Sequence, residues 1–178
     1  MTSKTITFWL TGLSGAGKTT LAQAMARHLH TLGQAVCVLD GDELRAGLCR
    51  DLSFSAADRE ENMRRTAELA RLLNEQGIVV IVALISPTTS GRAAARQSIG
   101  SHRFIEIFVN TPLSVCQQRD VKGLYAKASH DNSFALTGMA APYEAPLEAD
   151  LCIDTSQISL QMAVAQIFEL LTTVIHSS

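Results

Sequence analysis

The sequence predicts an α/β fold in three layers, with a mostly parallel five-stranded sheet between helices. Short runs rich in Val, Ile and Phe alternate with longer segments of helical periodicity along the 178 residues. Residues 78–85 are almost continuously apolar, which is typical of a strand covered on both faces. The alternation of strand and helix implies parallel strands joined by right-handed crossovers. We expect a single domain over residues 1–178, a length at which one core is usual.

The composition is that of an ordinary globular protein, with 47% hydrophobic and 18% charged residues. Fifteen basic residues stand against seventeen acidic ones without a basic run, which argues against a nucleic-acid partner. The four cysteines lie far apart and the five histidines form no cluster, so a zinc site is not indicated. No apolar stretch has the length of a membrane span, and strand one begins too early for a signal peptide. We expect a cytoplasmic protein without a membrane partner.

The elements follow in order from the N-terminus. Strands are predicted at residues 6–10 and 35–39, and the helix between them is expected to end at Gly33. Ser55 and Asp58 form a capping box that opens a helix to about residue 76. Further strands are predicted at residues 78–85, 104–109 and 151–153, and a closing helix at residues 159–175. Thr111 and Pro112 are expected to supply the N-cap and the first-turn proline of a short helix.

Residues 120–146 are the exception to this regularity, because they are rich in Gly, Ala, Ser and Pro and have weak periodicity. An irregular segment of that length inside a compact domain is usually functional. In an enzyme that transfers a phosphoryl group it would close over the site and exclude water. We therefore interpret residues 120–146 as a lid.

The strongest functional signal follows the first strand, where residues 12–19 fill the Walker A pattern G-x-x-x-x-G-K-[ST] without a mismatch. Glycines let the backbone wrap an anion, and the next helix adds its positive N-terminal end. Lys18 is expected to reach the β- and γ-phosphates of ATP, and Thr19 to ligate Mg²⁺. A glycine-rich turn without a ligand is the disfavoured alternative. The predicted nucleotide-binding residues here are Gly12, Leu13, Ser14, Gly15, Ala16, Gly17, Lys18, Thr19 and Thr20.

Two absences and one pair of carboxylates narrow the class of P-loop protein. The sequence lacks an Asn-Lys-x-Asp guanine signature and a Walker B aspartate after the third strand, which disfavours GTPases and motor ATPases. Asp40 and Asp42 instead follow the second strand, and ligands of open α/β sheets bind beyond the carboxyl ends of strands. One carboxylate could orient the waters of Mg²⁺ and the other could accept a proton from an attacking hydroxyl. A purely structural Asp-Gly turn remains the alternative.

At these motifs the sequence resembles the adenylyl-sulfate kinase family of P-loop kinases. The resemblance rests on six stretches in the same order, at residues 12–20, 39–42, 54–62, 85–87, 119–125 and 142–146. It implies transfer of the ATP γ-phosphate to the 3′-hydroxyl of adenosine 5′-phosphosulfate, which gives 3′-phosphoadenylyl sulfate in sulfate activation. It also implies a homodimer and leaves room for an association with ATP sulfurylase.

An acceptor that carries phosphate and sulfate needs positive charge, and Arg45 and Arg59 are candidates because guanidinium groups bind oxyanions in a bidentate manner. Phe54 is expected to pack on the acceptor adenine, with core packing as the alternative. By resemblance, the catalytic residues are Lys18, Asp40, Asp42 and Ser86. By the same resemblance, Arg119 is expected to bind the nucleotide. The acceptor residues are Asp42, Arg45, Phe54, Arg59, Asn62, Ile85, Ser86, Lys122, Gly123, Leu124 and Leu136. Ser86 is often described in this family as a phosphoserine intermediate, whereas we predict direct in-line transfer.

The sequence departs from the family pattern mainly in the lid. Aligned on Thr137 and Gly138, Leu136 stands where the family has a stacking aromatic, although Phe134 lies two residues away. Ala140 and Ser129 replace an acidic and a basic lid residue, and Glu43 replaces an asparagine after the aspartate pair. Two alternatives therefore stay open: a kinase of the same build with another nucleotide or a small alcohol as acceptor, and a non-enzymatic nucleotide-binding subunit of a sulfurylase assembly.

Overall fold

The structure is a computed structural model that describes residues 5–130, 136–139 and 141–176. Within these residues, five parallel strands form one sheet in the order β2-β3-β1-β4-β5. The strands are β1 Thr7–Thr11, β2 Val36–Asp40, β3 Val79–Ala83, β4 Phe104–Val109 and β5 Leu151–Ile153. The predicted fold is confirmed, and the sheet is parallel throughout rather than mostly parallel. All carboxyl ends of the strands therefore lie at one edge of the sheet.

Helices cover both faces of this sheet. They are α1 Lys18–Thr31, α2 Gly41–Ala46, α3 Ala56–Glu75, α4 Thr89–Ile99, α5 Leu113–Arg119, α6 Leu124–His130 and α7 Leu160–His176. Alternate residues of β1 point to opposite faces, as the pleat of a strand requires. Phe8 packs in a cluster with the helices α1 and α7, and Trp9 packs in a second cluster with Met63 of α3 and Ala95 of α4. One cluster lies on each face of the sheet, so the fold has three layers: helices, sheet and helices.

Three local expectations need correction. Thr111 does not cap α5: Pro112 holds the cap position, and the Thr111 hydroxyl donates to the Ala16 carbonyl at 3.0 Å. The segment 120–146 is not wholly irregular, because α6 lies within it and the Asp120 carboxylate accepts from two backbone N–H groups in its first turn. Asp40 and Asp42 do not flank a simple turn, because the side chain of Asp40 caps α2, a helix that the sequence did not predict.

Candidate active site

The loop between β1 and α1 folds closely against its neighbours, and glycine is required where it does so. Gly12 has a φ of 150°, and a Cβ there would lie 2.5 Å from the Val109 carbonyl oxygen. Gly15 has a φ of 75°, and a Cβ there would lie 2.9 Å from the Cys116 carbonyl oxygen. At both positions the backbone is left-handed, and a Cβ would collide with a neighbouring carbonyl oxygen, so only glycine fits. The glycines of the Walker A pattern therefore have a geometric reason as well as a chemical one.

Lys18 is the first residue of α1, and its side chain is buried beneath this loop. Its Nζ donates to the carbonyl oxygens of Gly12 and Leu13 at 2.8 and 2.7 Å. Burial, together with the positive charge of Lys122, lowers the pKa of the ammonium to about 8. The ammonium has three N–H donors, so one remains for a ligand after the two carbonyl contacts. An anion here would find a cation that is already held in place.

The two aspartates after β2 have different surroundings. The buried Asp40 accepts the Thr19 hydroxyl at 2.6 Å on one oxygen and the Asp42 N–H at 2.9 Å on the other. Asp42 lies on the first turn of α2 with 64% of its side chain exposed, and it pairs with Lys122 across the cavity. Asp40 is therefore tied to Thr19, the residue of the Walker A pattern that is predicted to ligate Mg²⁺. Asp42 is the carboxylate that faces open space.

Two arginines enclose the ring of Phe54. The Arg45 guanidinium carbon lies 4.5 Å from the ring centroid and that of Arg59 lies 5.7 Å away. Phe54 is 55% exposed, so the alternative that it packs in the core is wrong. Burial lowers the pKa of both arginines, and the charge of Arg45 lowers that of Arg59 further. Two half-buried guanidinium groups beside an exposed aromatic ring are suited to an anionic ligand with a flat ring.

Asn62 lies one turn after Arg59 on α3 and is 3% exposed. Its Nδ2 has no hydrogen-bond partner among the described residues, while its Oδ1 lies 3.4 Å from the Thr66 hydroxyl. Buried amide donors are nearly always paired in native proteins. Because Asn62 lines the cavity, a hydrogen-bond acceptor on a ligand would satisfy it.

Ser86 follows β3 in a left-handed conformation with a φ of 48° and is buried. Its Oγ accepts the indole N–H of Trp9 at 2.9 Å, and its carbonyl oxygen accepts a guanidinium N–H of Arg92 at 2.8 Å. Ile85 precedes it, and the carbonyl oxygen of Ile85 accepts the Thr11 hydroxyl at 2.7 Å. The hydroxyl oxygen of Ser86 is thus already engaged by the core.

Part of the lid contacts this site. Leu136 is buried, and the Thr137 hydroxyl accepts an Arg59 guanidinium N–H at 2.6 Å. The Ser129 hydroxyl donates to the Tyr125 carbonyl within α6, so it turns back on its own helix. Phe134 and Ala140 lie outside the described residues.

One cavity of about 690 Å³ joins most of the predicted residues. It is lined by Ser14, Gly15, Gly17, Lys18, Thr19, Thr20, Asp40, Asp42, Arg45, Phe54, Arg59, Asn62, Ile85, Ser86, Arg119, Lys122, Leu124 and Leu136. The predicted residues that do not line it are Gly12, Leu13, Ala16 and Gly123. The first three lie in the loop between β1 and α1, where the Gly12 and Leu13 carbonyls accept from Lys18 and the Ala16 carbonyl accepts from Thr111. Gly123 forms the turn before α6 with a φ of 63°.

Sequence reasoning missed Thr155 and Tyr125, which also line the cavity. The Thr155 hydroxyl donates to the Ala16 carbonyl at 2.8 Å and accepts from Arg119 at 2.8 Å. The Tyr125 hydroxyl donates to the Ser14 carbonyl at 2.9 Å. Thr155 follows β5, so the rule that drew attention to the residues after β2 would have found it as well. Tyr125 ends the stretch 119–125 that carries the family resemblance, but no role was predicted for it.

Two kinds of feature are absent from the described part of the chain. No three His, Cys, Asp or Glu side chains there are grouped so that they could hold a metal ion. None of the helices in those residues has the length and apolar character to cross a membrane.

Comparison with known proteins agrees with this geometry. A family model described as adenylylsulphate kinase matches residues 4–154. An adenylyl-sulfate kinase of Shewanella sp. (strain MR-4) is 50% identical over 169 residues, which are 95% of this chain and 82% of that relative. The APS kinase of Mycobacterium tuberculosis, in complex with AMPPNP and APS, matches with a TM-score of 0.91 and 42% identity over 95% of this chain and 98% of that one. A hexameric APS kinase from Thiobacillus denitrificans matches with a TM-score of 0.72 and 31% identity over 97% of this chain and 29% of that one. The chain belongs to the adenylylsulphate kinase family.

Proposed function

We propose that this chain transfers the γ-phosphate of ATP to the 3′-hydroxyl of adenosine 5′-phosphosulfate, giving 3′-phosphoadenylyl sulfate and ADP. One cavity carries the proposal, because it joins the phosphate loop to a cationic and aromatic cluster of Arg45, Phe54 and Arg59. The loop suits a triphosphate. The cluster suits an adenosine whose 5′ substituent is anionic, and the unpaired amide of Asn62 supplies a further donor to such an acceptor.

Asp42 is the base in this proposal. Its carboxylate takes the proton of the 3′-hydroxyl while the hydroxyl oxygen forms a bond to the γ-phosphorus, and the bond from that phosphorus to the β,γ-bridging oxygen breaks, which releases ADP. The exposed side chain of Asp42 can reach a hydroxyl in the cavity, whereas the two oxygens of Asp40 are already engaged. Lys122 pairs with Asp42 and orients its carboxylate.

Lys18 stabilises the charge that develops on the transferred group. Its two carbonyl contacts hold the ammonium before ATP arrives, so little reorganisation is needed during the reaction. We place Arg119 and Thr155 beside the nucleoside part of ATP, since both line the cavity behind the loop.

The donor set of Thr19 and Asp40 fits Mg²⁺, which prefers hard oxygen ligands and keeps several waters. No grouped acidic side chains complete a cage in the described residues, as expected for a metal held mainly by phosphate oxygens and water. Thr19 would bind the ion directly and Asp40 would orient a bound water. When present, the ion neutralises phosphate charge.

The test is ADP release by the isolated chain with adenosine 5′-phosphosulfate, against adenosine, AMP and small sugar alcohols as acceptors. We expect turnover only with the first, and a greatly reduced rate from the matched Lys18→Ala variant. Turnover with another acceptor alone would favour the alternative of a kinase that uses another nucleotide or a small alcohol. The altered lid at Leu136 motivates that alternative. Absence of turnover with every acceptor would favour the non-enzymatic subunit.

A homodimer in the cytoplasm remains our proposal for the assembly and its location, and an association with ATP sulfurylase is a further one. The family resemblance motivates all three. Light scattering of the purified chain should give twice the mass of 19.2 kDa for a dimer. A monomeric or hexameric mass would exclude it.

A further inference from the structure

Arg92 on α4 is a buried arginine that does not line the cavity. It is 3% exposed, and its guanidinium reaches three partners at once. Its Nε forms an ion pair with Glu106 at 2.8 Å, its Nη1 donates to the Ser86 carbonyl at 2.8 Å, and its Nη2 donates to the Thr89 hydroxyl at 3.3 Å. Replacing a buried ion pair by apolar side chains is often neutral or stabilising. Stability of the fold is therefore a weak explanation for this group.

The contact with Ser86 suggests a better explanation. Ser86 is held in a left-handed conformation, which a residue with a Cβ adopts only when its surroundings impose it. Arg92 holds the carbonyl of Ser86, and Trp9 holds its hydroxyl. Trp9 is paired in register with Glu106, the ion-pair partner of Arg92, so the two restraints on Ser86 share one buried cluster.

This cluster lies behind a wall of the candidate acceptor site. Ile85, Ser86 and Pro87 line the cavity, and none of the three belongs to a helix or strand. The Pro87 carbonyl also accepts the N–H of Glu144, whose carboxylate accepts the N–H of Thr89 at 2.7 Å. The loop after β3 therefore also binds Glu144, which lies near the C-terminal end of the lid.

We propose that Arg92 is a positioning residue for the acceptor: its guanidinium fixes residues 85–87 in the form that lines the acceptor half of the cavity. The inference rests on the proposed function, because it assigns the effect to acceptor binding. Arg92 touches no nucleotide-binding residue in the described contacts, so its loss should leave ATP binding unchanged.

The experiment compares Arg92→Met with the parent in acceptor KM, kcat and ATP affinity. Loss of one donor to a buried carbonyl should raise the acceptor KM by about tenfold. ATP affinity, measured by calorimetry without acceptor, should stay within about twofold, because the phosphate loop keeps its contacts. Arg92→Lys should restore part of the acceptor KM, since an ammonium can reach one or two of the three partners but cannot span them as a planar fork.

Arg96→Met is the matched control. Arg96 lies one turn later on α4 and pairs with Glu106 at 3.7 Å and with Asp150 at 2.9 Å, without a contact to Ser86 in the described structure. We expect its acceptor KM to match the parent. The double variant Arg92→Met/Glu106→Gln leaves no unpaired buried charge, so it keeps the test open if the single variant fails to fold.

Hydrogen exchange supplies a readout that needs no acceptor. Peptides that cover residues 84–89 should exchange faster in Arg92→Met than in Arg96→Met. If the parent fails to use adenosine 5′-phosphosulfate, the proposed function fails while this readout still tests the positioning role. An unchanged exchange rate, an unchanged acceptor KM in a folded Arg92 variant, or a parallel loss of ATP affinity would overturn the inference.

Discussion

The proposed function divides the cavity into an end for the ATP phosphates, here called the phosphate end, and an end for the acceptor, here called the acceptor end. The two ends are built in different ways. The phosphate end consists mainly of backbone between β1 and α1, with a buried Lys18 held by two carbonyls. The acceptor end consists of side chains from α2, α3, the loop after β3 and the lid. Two of its charged groups are open to solvent, with 48% of the Lys122 side chain and 64% of the Asp42 side chain exposed, and its two arginines are half-buried. A site made of backbone is rigid before the ligand arrives, whereas a site made of exposed side chains is completed by it.

This difference explains where specificity lies. Any nucleoside triphosphate presents the same phosphates to the loop, so that end can be common to many enzymes. In the proposed function, the choice of acceptor depends on Arg45, Phe54, Arg59 and the lid. Variants at the phosphate end should therefore cost turnover, and variants at the acceptor end should mainly change acceptor affinity.

The largest effect is expected for Lys18→Ala. Removing the buried cation nearest the γ-phosphoryl should lower kcat by about 10³-fold or more, because the charge of the transition state loses its main preorganised partner. Steady-state ADP release and thermal unfolding should be measured together, so that a loss of turnover is distinguished from a loss of folded protein. Near-normal turnover would contradict the role of the phosphate end.

Asp42→Asn should come next, with kcat lowered by about 10²-fold and a smaller change in acceptor KM, because the amide cannot accept the proton. Glu43→Gln is the matched control. It removes the same charge one residue along α2 from an exposed side chain that does not line the cavity. An unchanged kcat with a raised KM in Asp42→Asn would show that the carboxylate only binds.

The contrast between the two ends also decides what the sequence could predict. Gly12 and Gly15 follow a pattern because the backbone geometry demands glycine, so the phosphate end was predictable from one stretch. The positions of the strands along the chain and the cap at Ser55 were predicted from periodicity and from the capping-box pattern. The acceptor end needed the family resemblance, because contacts such as that of Arg59 with Thr137 join residues 78 apart and leave no local signal. Arg92 was not predicted either, although its partners Thr89, Ser86 and Glu106 lie nearby in the sequence.

A rise in pH through about 8 should weaken ATP binding, because Lys18 loses its proton. Its pKa is about 8 in the free protein because of burial, and the phosphates of bound ATP would raise it. Above pH 8 the free ammonium loses its proton and must regain it to bind, so ATP affinity should fall by about tenfold between pH 7 and pH 9. Calorimetry in buffers of different ionisation enthalpy should detect proton uptake in that range. Lys18→Met should abolish this pH dependence, and a parent without it would contradict the burial argument.

Leu136→Phe tests the altered lid. Stacking of a base on an aromatic ring is worth roughly 1–3 kcal/mol, and leucine offers contact without a π-face. Leu136 lines the cavity beside Thr137, which Arg59 holds, so a ring at this position should lower the acceptor KM several-fold without changing the KM for ATP. Phe134→Ala should be silent in the same assay. The reverse pattern would show that Phe134 supplies the ring, and insensitivity to both changes would favour another acceptor.

Ser86→Ala should have the smallest effect on turnover. The Ser86 oxygen accepts the indole N–H of Trp9, so its loss leaves a buried donor unpaired and should lower the free energy of unfolding by about 1–3 kcal/mol. Direct transfer needs no covalent serine intermediate, so kcat should stay within about twofold of the parent, with at most a modest rise in acceptor KM. Trp9→Phe is the matched control, since it removes the other partner of the same hydrogen bond and leaves the hydroxyl in place. A folded Ser86→Ala protein without activity, together with phosphoserine trapped in the parent, would establish the covalent route instead.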